Sequence, residues 1–328
     1  MLNDWQPMDR WHACGGARRL RGLMALRWRN FLIYQAHLTT GTTQPILCCI
    51  GQSVATSPTQ FLMERAIAAT QLDWRAITAE VAPQDLAAAL AGMAAMKFMA
   101  VRFFQSLQAP ALEQLGQSSA ELRFIGGVTS AIRAADGWQT WHHWGPATLG
   151  WAQRQVDLRH TLCWLHGDSV HCRSLLVALQ ELALQQSALP SVILWSQPAA
   201  EIPPNLNSLE DGQPALPLQL VDDKWLLQSQ MTELLSSLAV THNASTLLFV
   251  GDDLPRDQLK PMADIKACFV AGGTAAIKHA RACQLPQLST LDEAEQTVLC
   301  EAYDFQRWTG HTISPAVLQD AYDEYCDF

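Results

Sequence analysis

Charge is scarce in this chain. Only 16% of its 328 residues are Asp, Glu, Lys or Arg, while 49% are hydrophobic. That balance excludes a disordered polymer and implies a globular chain with a large core. The formal charge is −9, so the basic surface that general nucleic-acid binding needs is missing. Long apolar runs are missing too: none reaches the roughly 18 residues of a membrane-spanning helix. No nucleic-acid or membrane partner is expected, and the expected location is cytoplasmic. The nine cysteines are odd in number and form no C-x-x-C pair, so neither a disulfide framework nor a common zinc pattern is present. Buried free thiols are the expectation. Cys163, His166, His171 and Cys172 are near one another in sequence, but their spacing fits no usual zinc site, and no metal is expected.

Two local absences bear on chemistry. No lysine lies between Lys97 and Lys224, and no aspartate lies between Gly137 and Arg154. Residues 1–43 lack lysine altogether, carrying Arg10, Arg18, Arg19, Arg21, Arg27 and Arg29 instead. Such a stretch reads either as an Arg-rich targeting leader or as a start codon assigned too early, with translation beginning near Met24 or later. The second reading is favoured, and little packed structure is expected before Thr43.

What remains is regular α/β alternation without an internal repeat. Pro45–Ile50 reads as a buried strand, and Ser57-Pro58 opens a helix with Ser57 as N-cap. Asp73–Val81 and Lys97–Arg102 are further strands, with an alanine-rich helix from Pro83 to Met96 between them. Leu122–Ala134 reads as the first arm of a hairpin turning at Asp136-Gly137, and Ala147–Val156 as a connecting helix. A second alternating unit begins at His160. There Thr161–Leu165 is a buried strand, His166-Gly167-Asp168-Ser169 a tight turn, and Leu175, Leu176, Leu179 and Leu182 one face of a helix. Strands follow at Ser191–Trp195, Leu216–Val221, Thr246–Gly251 and Ala267–Val270. A Pro/Asn-rich loop runs from Gln197 to Pro214, and helices are expected over Lys224–Leu238 and Thr274–Cys283. Two more helices, Asp292–Thr309 and Ser314–Tyr325, end the chain. Strand, glycine turn, helix is the opening of a dinucleotide-binding unit, in which the fingerprint G-x-G-x-x-G lets backbone approach a pyrophosphate at the helix N-terminus. This turn keeps only Gly167.

Three strings resemble the shikimate dehydrogenase family in order and spacing: Ser57-Pro58 after the first strand, Gly127-Val128-Thr129-Ser130 before the hairpin turn, and Phe305-Gln306-Arg307-Trp308-Thr309-Gly310 near the end. The resemblance covers about residues 45–325. It implies an N-terminal α/β substrate-binding domain (44–146), a Rossmann-like doubly wound parallel-sheet domain of NADP type (147–285) and C-terminal helices returning to the first domain (286–328).

The functional positions depart from the family pattern. The resemblance places substrate contacts on Ser57, Gln105 and Thr129, where Gln105 takes the place of the catalytic lysine and Thr129 that of an asparagine. Gly145 stands at the catalytic aspartate, and the late substrate-touching glutamine falls on Cys300. Cofactor contacts fall on Gly167, Asp168, Ser169, Arg173, Trp195 and Ser196. Oxidising a secondary alcohol requires a group that takes the hydroxyl proton as hydride leaves. Glutamine cannot titrate near neutral pH and glycine cannot titrate at all. Lys97 lies at the far end of its strand. His142 and His143 could substitute if they titrate in the working range, but histidines hydrogen-bonded structurally at a strand end are the weightier alternative. The NADP site is weakened, since Asp168 brings a negative charge to the phosphate turn.

The expected function is thus a catalytically degenerate homologue of shikimate dehydrogenase, a pseudoenzyme binding a shikimate-like small molecule or a partner in its cleft, as a monomer or homodimer. The alternative is an active NADP-dependent oxidoreductase with an altered substrate and a relocated acid/base group. A docking role for the acidic C-terminal residues Asp320, Asp323, Glu324 and Asp327 is outweighed by a solvated helix end.

Overall fold

Two sheets carry the structure, a computed structural model that describes residues 44–115, 119–185, 188–196, 216–221, 228–251, 265–283, 285 and 287–327. The Arg-rich segment 1–43, the Pro/Asn-rich loop of 197–214 and the helix start expected at Lys224 lie outside the described residues.

The first sheet has the order β2-β1-β3-β4-β5. Strands β1 (Ile46–Gly51), β2 (Arg75–Glu80) and β3 (Ala100–Phe103) are parallel, and the hairpin β4 (Ser130–Ala134) and β5 (Gly137–Trp141) adds on antiparallel. Helix α1 (Thr59–Thr70) joins β1 to β2, and α2 (Leu86–Ala95) joins β2 to β3. Helices α3 (Gln105–Gln114) and α4 (Ala120–Ile125) precede the hairpin.

Several local expectations are corrected here. Helix α1 starts at Thr59, with Pro58 at the cap position, although Ser57 Oγ still accepts the Thr59 N–H at 3.3 Å. Lys97 is in a left-handed turn at φ 61°, so β3 begins only at Ala100. The first arm of the expected hairpin is partly helical. Ser119 Oγ accepts from Leu122 N at 3.2 Å, and Gly126, at φ 90°, ends the turn of helix that buries Leu122, Phe124 and Ile125.

Helix α5 (Trp144–Gln155) leads to the second sheet, which is wholly parallel with the order β11-β10-β9-β6-β7-β8. Its strands are β6 (Thr161–His166), β7 (Val192–Ser196), β8 (Leu218–Val221), β9 (Thr246–Gly251), β10 (Ala267–Gly272) and β11 (Leu288–Leu291). Counted from β6, this is the 3-2-1-4-5-6 order of the Rossmann fold, whose strand order reverses between β6 and β9. Strand β11 is an addition to the expected set, and it carries the sheet past the boundary expected at 285. Helices α6 (Val170–Leu184), α7 (Gln228–Thr241) and α8 (Thr274–Ala282) accompany this sheet. Leu175, Leu176 and Leu179 of α6 are fully buried, each contributing about 1.5–3 kcal/mol of burial.

The chain closes with α9 (Glu293–Thr309) and α10 (Pro315–Cys326). Helix α9 packs on α1, α5 and α10, and α10 also packs on α1. One continuous core runs from Ile50 and Phe103 of the first sheet through Trp144 and Trp151 of α5 to Leu165 and Trp195 of the second.

Candidate ligand site

Beside the first sheet lies a buried cluster of charge. Arg102 of β3 stands in an otherwise apolar strand and meets two carboxylates of α9. Its guanidinium is 3.3 Å from Glu301 Oε1 and 3.2 Å from Asp304 Oδ2. Both carboxylates are completely buried. They stand three residues apart, so one helix face carries both.

Asp304 is saturated. Its Oδ2 accepts from Ser130 Oγ at 2.5 Å, from His143 Nδ1 at 2.7 Å and from Arg102, while Oδ1 accepts from Trp141 Nε1 at 2.7 Å. Burial alone would raise its pKa, but His143, Arg102 and Ser130 outweigh burial and hold the carboxyl below the usual range. Glu301 is less well served, with Thr59 Oγ1 donating to Oε1 at 2.9 Å and nothing on Oε2. Its burial, opposed by Arg102, pushes it up to about 7. His143 is driven the other way. Burial first, then Arg102, press it down to about 4 against the pull of Asp304. The His143 Nδ1 lies 2.7 Å from Asp304 Oδ2 and also meets Arg102 NH1, which lies 2.7 Å from Nε2, and burial favours the neutral imidazole.

The positions expected to touch substrate surround this cluster. Ser57 Oγ donates to Thr59 Oγ1 at 3.1 Å and lines a cavity of about 330 Å³ with Gln60, Glu64, Thr78 and Glu80. Thr129 is buried, and its Oγ1 accepts the His143 backbone N–H at 2.9 Å and donates to Trp141 O at 3.3 Å. Gln105 is exposed at the start of α3. Cys300, buried on α9, has its thiol pushed up by burial.

Gly145 is the most constrained of these positions. A Cβ built there would lie 2.1 Å from the backbone oxygen of Ser174 on α6, and real contacts are never that short. The two helices touch backbone to backbone at this point. Ser174 Oγ accepts the Gly145 N–H at 2.8 Å and lies 2.8 Å from His142 Nδ1. His142 and His143 are both buried, at 6% and 5% exposure. Burial, reinforced by neighbouring His143 and His171, takes His142 well below its ordinary value. Burial thus disfavours the charged form of both histidines.

The phosphate-turn positions divide into two sets. Gly167, at φ 82°, takes the left-handed turn that the motif needs, with open space where a Cβ would stand. Ser169 caps α6, accepting from Cys172 N at 3.3 Å. Asp168 faces Arg173, Oδ1 to Nε at 3.7 Å, and Arg173 NH1 donates to Phe124 O at 3.1 Å. Trp195 and Ser196 are both fully buried. The Trp195 ring packs edge-on against Phe124, and its Nε1 donates to Gly167 O at 2.8 Å. Ser196 Oγ accepts from Trp164 Nε1 at 2.9 Å and lies 2.9 Å from His166 Nδ1. Neither side chain is presented to a nucleotide. The turn thus carries a carboxylate 3.7 Å from Arg173 Nε with no hydrogen bond between the two, while Arg173 NH1 is held by the Phe124 carbonyl.

Among the described residues, no group of three or more His, Cys, Asp or Glu is arranged to hold a metal ion, and no helix is long and apolar enough to cross a membrane. The sequence reading missed Arg102, Glu301, Asp304, Ser130, Trp141 and Thr59. A signal was present: one arginine in an apolar strand, and two carboxylates among Val298, Leu299, Phe305 and Trp308 on the apolar side of a helix.

No protein-family model matches the chain, and no curated protein matches it in sequence. Solved structures do match. The ligand-free 5-ketofructose reductase of Gluconobacter sp. strain CHM43 is 19% identical, with a TM-score of 0.60 over 87% of this chain and 99% of that one. Shikimate 5-dehydrogenase from Thermus thermophilus, in complex with NADP(H) and shikimate, is 16% identical, with a TM-score of 0.60 over 86% and 100%. The Listeria monocytogenes enzyme, in complex with shikimate and NAD, is 13% identical, with a TM-score of 0.62 over 85% and 96%. With its hairpin-extended first sheet, its 3-2-1-4-5-6 second sheet and its returning C-terminal helices, this chain has the shikimate dehydrogenase fold.

Proposed function

We propose that this chain uses the shikimate dehydrogenase fold to bind a small molecule and does not oxidise it. The observation that carries this reading is the contact at Gly145. Where the resemblance places a catalytic carboxylate, the backbone of α6 fills the space that any side chain would need. The partner lysine position is Gln105, which can hydrogen-bond a hydroxyl but cannot exchange its proton near neutral pH. Losing a proton relay removes on the order of 10²–10⁴ in rate. NADP(H), bound by the Thermus thermophilus neighbour, is not expected to bind this chain tightly, because Asp168 puts a negative charge in the phosphate turn.

The alternative is an active NADP-dependent enzyme with His142 or His143 as its acid/base group. The His143–Asp304 hydrogen bond favours it, and the burial of both histidines in their neutral form weighs against it.

The test is heat denaturation of the full chain with and without millimolar shikimate, NADP+ and NAD+, alongside an absorbance assay for reduced nicotinamide. A ligand of the folded state raises the melting temperature by mass action. A shift with shikimate and no reduced nicotinamide supports the reading. Turnover that is lost in H143Q sinks it in favour of the alternative.

A further inference from the structure

Two buried polar atoms of the charge cluster lack partners, Glu301 Oε2 and Arg102 Nε. Glu301 uses one oxygen for everything: Oε1 takes both the Thr59 hydroxyl and the Arg102 NH2. A carboxylate on a guanidinium is best held by two parallel bonds, one to each oxygen. The chain's own side chain thus fills this recess without satisfying it.

We propose that Arg102 and Thr59 form a receptor for a small monocarboxylate, and that the Glu301 side chain occupies it from within as a stand-in for that ligand. A guanidinium edge and one hydroxyl suit a planar, three-atom carboxylate group. Asp304 already holds NH1 of the same guanidinium, so a second negative charge, such as that of a phosphate dianion, is repelled. Cys49 and Cys300 stand near the same groups with thiols that burial keeps neutral, adding no charge. Ser57, which lines the 330 Å³ cavity, donates to Thr59 Oγ1, the hydroxyl that in turn donates to Glu301.

The assignment rests on the reading that this chain holds a ligand, but its test uses neither nucleotide nor hydroxyl substrate, so either can fail alone. Full-length E301A is melted in sodium acetate, formate, phosphate and chloride at matched ionic strength. Acetate and formate at roughly tens of millimolar should raise its melting temperature saturably, by several degrees over chloride. E301Q, whose amide still fills the recess, should respond to all four salts alike, and the double variant R102M/E301A should lose the carboxylate effect. If E301A does not fold in chloride, its refolding yield from urea in acetate against chloride is the readout. Equal behaviour in acetate and chloride overturns the proposal, as does phosphate stabilising as well as acetate.

Discussion

Replacing Gly145 by alanine adds a single methyl group, yet the structure leaves it no room. The new Cβ would sit 2.1 Å from Ser174 O and 2.4 Å from Ser174 C. Backbone cannot swing aside as a side chain can, so α6 must retreat by at least about 1.3 Å to reach ordinary contact, a strain of about 1–3 kcal/mol by the usual cost of overpacking. The retreat also stretches two hydrogen bonds that Ser174 Oγ makes at 2.8 Å, to Gly145 N and to His142. Each is worth about 1 kcal/mol when buried. The sum, about 3–5 kcal/mol, is a large part of the 5–15 kcal/mol of a typical domain. Urea denaturation of the full chain, compared at equal m-value, measures it. Gly150 supplies the control on the same helix. Its Cβ would meet only Arg154 NH1, at 3.8 Å, so G150A should stabilise by about 0.5–1 kcal/mol through helix propensity. If G145A falls within about 0.5 kcal/mol of the wild type, α6 does not close the position, and the main support for a non-catalytic role is gone.

Other outcomes follow from the same contacts. Asp304→Asn should cost about 3–5 kcal/mol in urea denaturation, because it strips one of the two counter-charges from half-buried Arg102 and weakens the bonds from His143 and Ser130. Trp195→Ala should cost about 3–5 kcal/mol while leaving any ligand-induced melting shift unchanged, since the ring is fully buried. Asp168→Gly should strengthen binding of NADP+ in a fluorescence titration, by removing the carboxylate that faces Arg173. The pH dependence has two opposed parts. His143, held near 4 in the fold against an ordinary 6.5, gives stability that is present above pH 6.5 and lost as pH falls toward 4, at most about 3 kcal/mol. Glu301, raised to about 7 from 4.5, gives stability that is present below pH 4.5 and lost as pH rises through 7, of similar size. Between pH 4.5 and 6.5 the two offset, so the wild-type midpoint in urea should be nearly flat there, while E301Q should lose stability steadily as pH falls through that range.

The two sheets were legible because their signals are local. Apolar runs such as Thr246–Gly251 and the leucines of α6 state their own burial, and Gly167 marks its own turn. Leu288–Leu291 escapes notice because its sequence, LSTL, lacks a continuous apolar run, and only its pairing with Cys268–Ala271 makes it a strand. Leu122–Ile125 reads as extended because Phe and Ile favour strands. The Ser119 cap and Gly126 at φ 90° decide for helix over so short a stretch. The departures at Gln105 and Gly145 could be read from alignment of strings alone, but what fills the space could not. Gly145 looks like a lost aspartate in sequence, whereas in three dimensions it is the only residue type that lets α5 and α6 meet.

The charge cluster was illegible for a different reason: its members are about 200 residues apart, and each looks like an error until the others are in place. Arg102 alone in β3 would be a buried cation without a partner, costing several kcal/mol after relaxation. Glu301 and Asp304 alone on α9 would be buried anions. Together they compensate one another, and His143, Ser130, Trp141 and Thr59 supply the remaining bonds. The consequence is directional. Apolar packing would let α9 slide along the sheet by small steps at small cost, but an Asp304 with four donors and an Arg102 with two carboxylates admit one register only. Helix α9 is thereby fixed against β3, β4, β5 and the residue before α5. A ligand that displaced Glu301 from Arg102 would release one of the two charged ties and leave Asp304 holding the register. On the proposed reading, Glu301 would then yield to a carboxylate without the helix letting go.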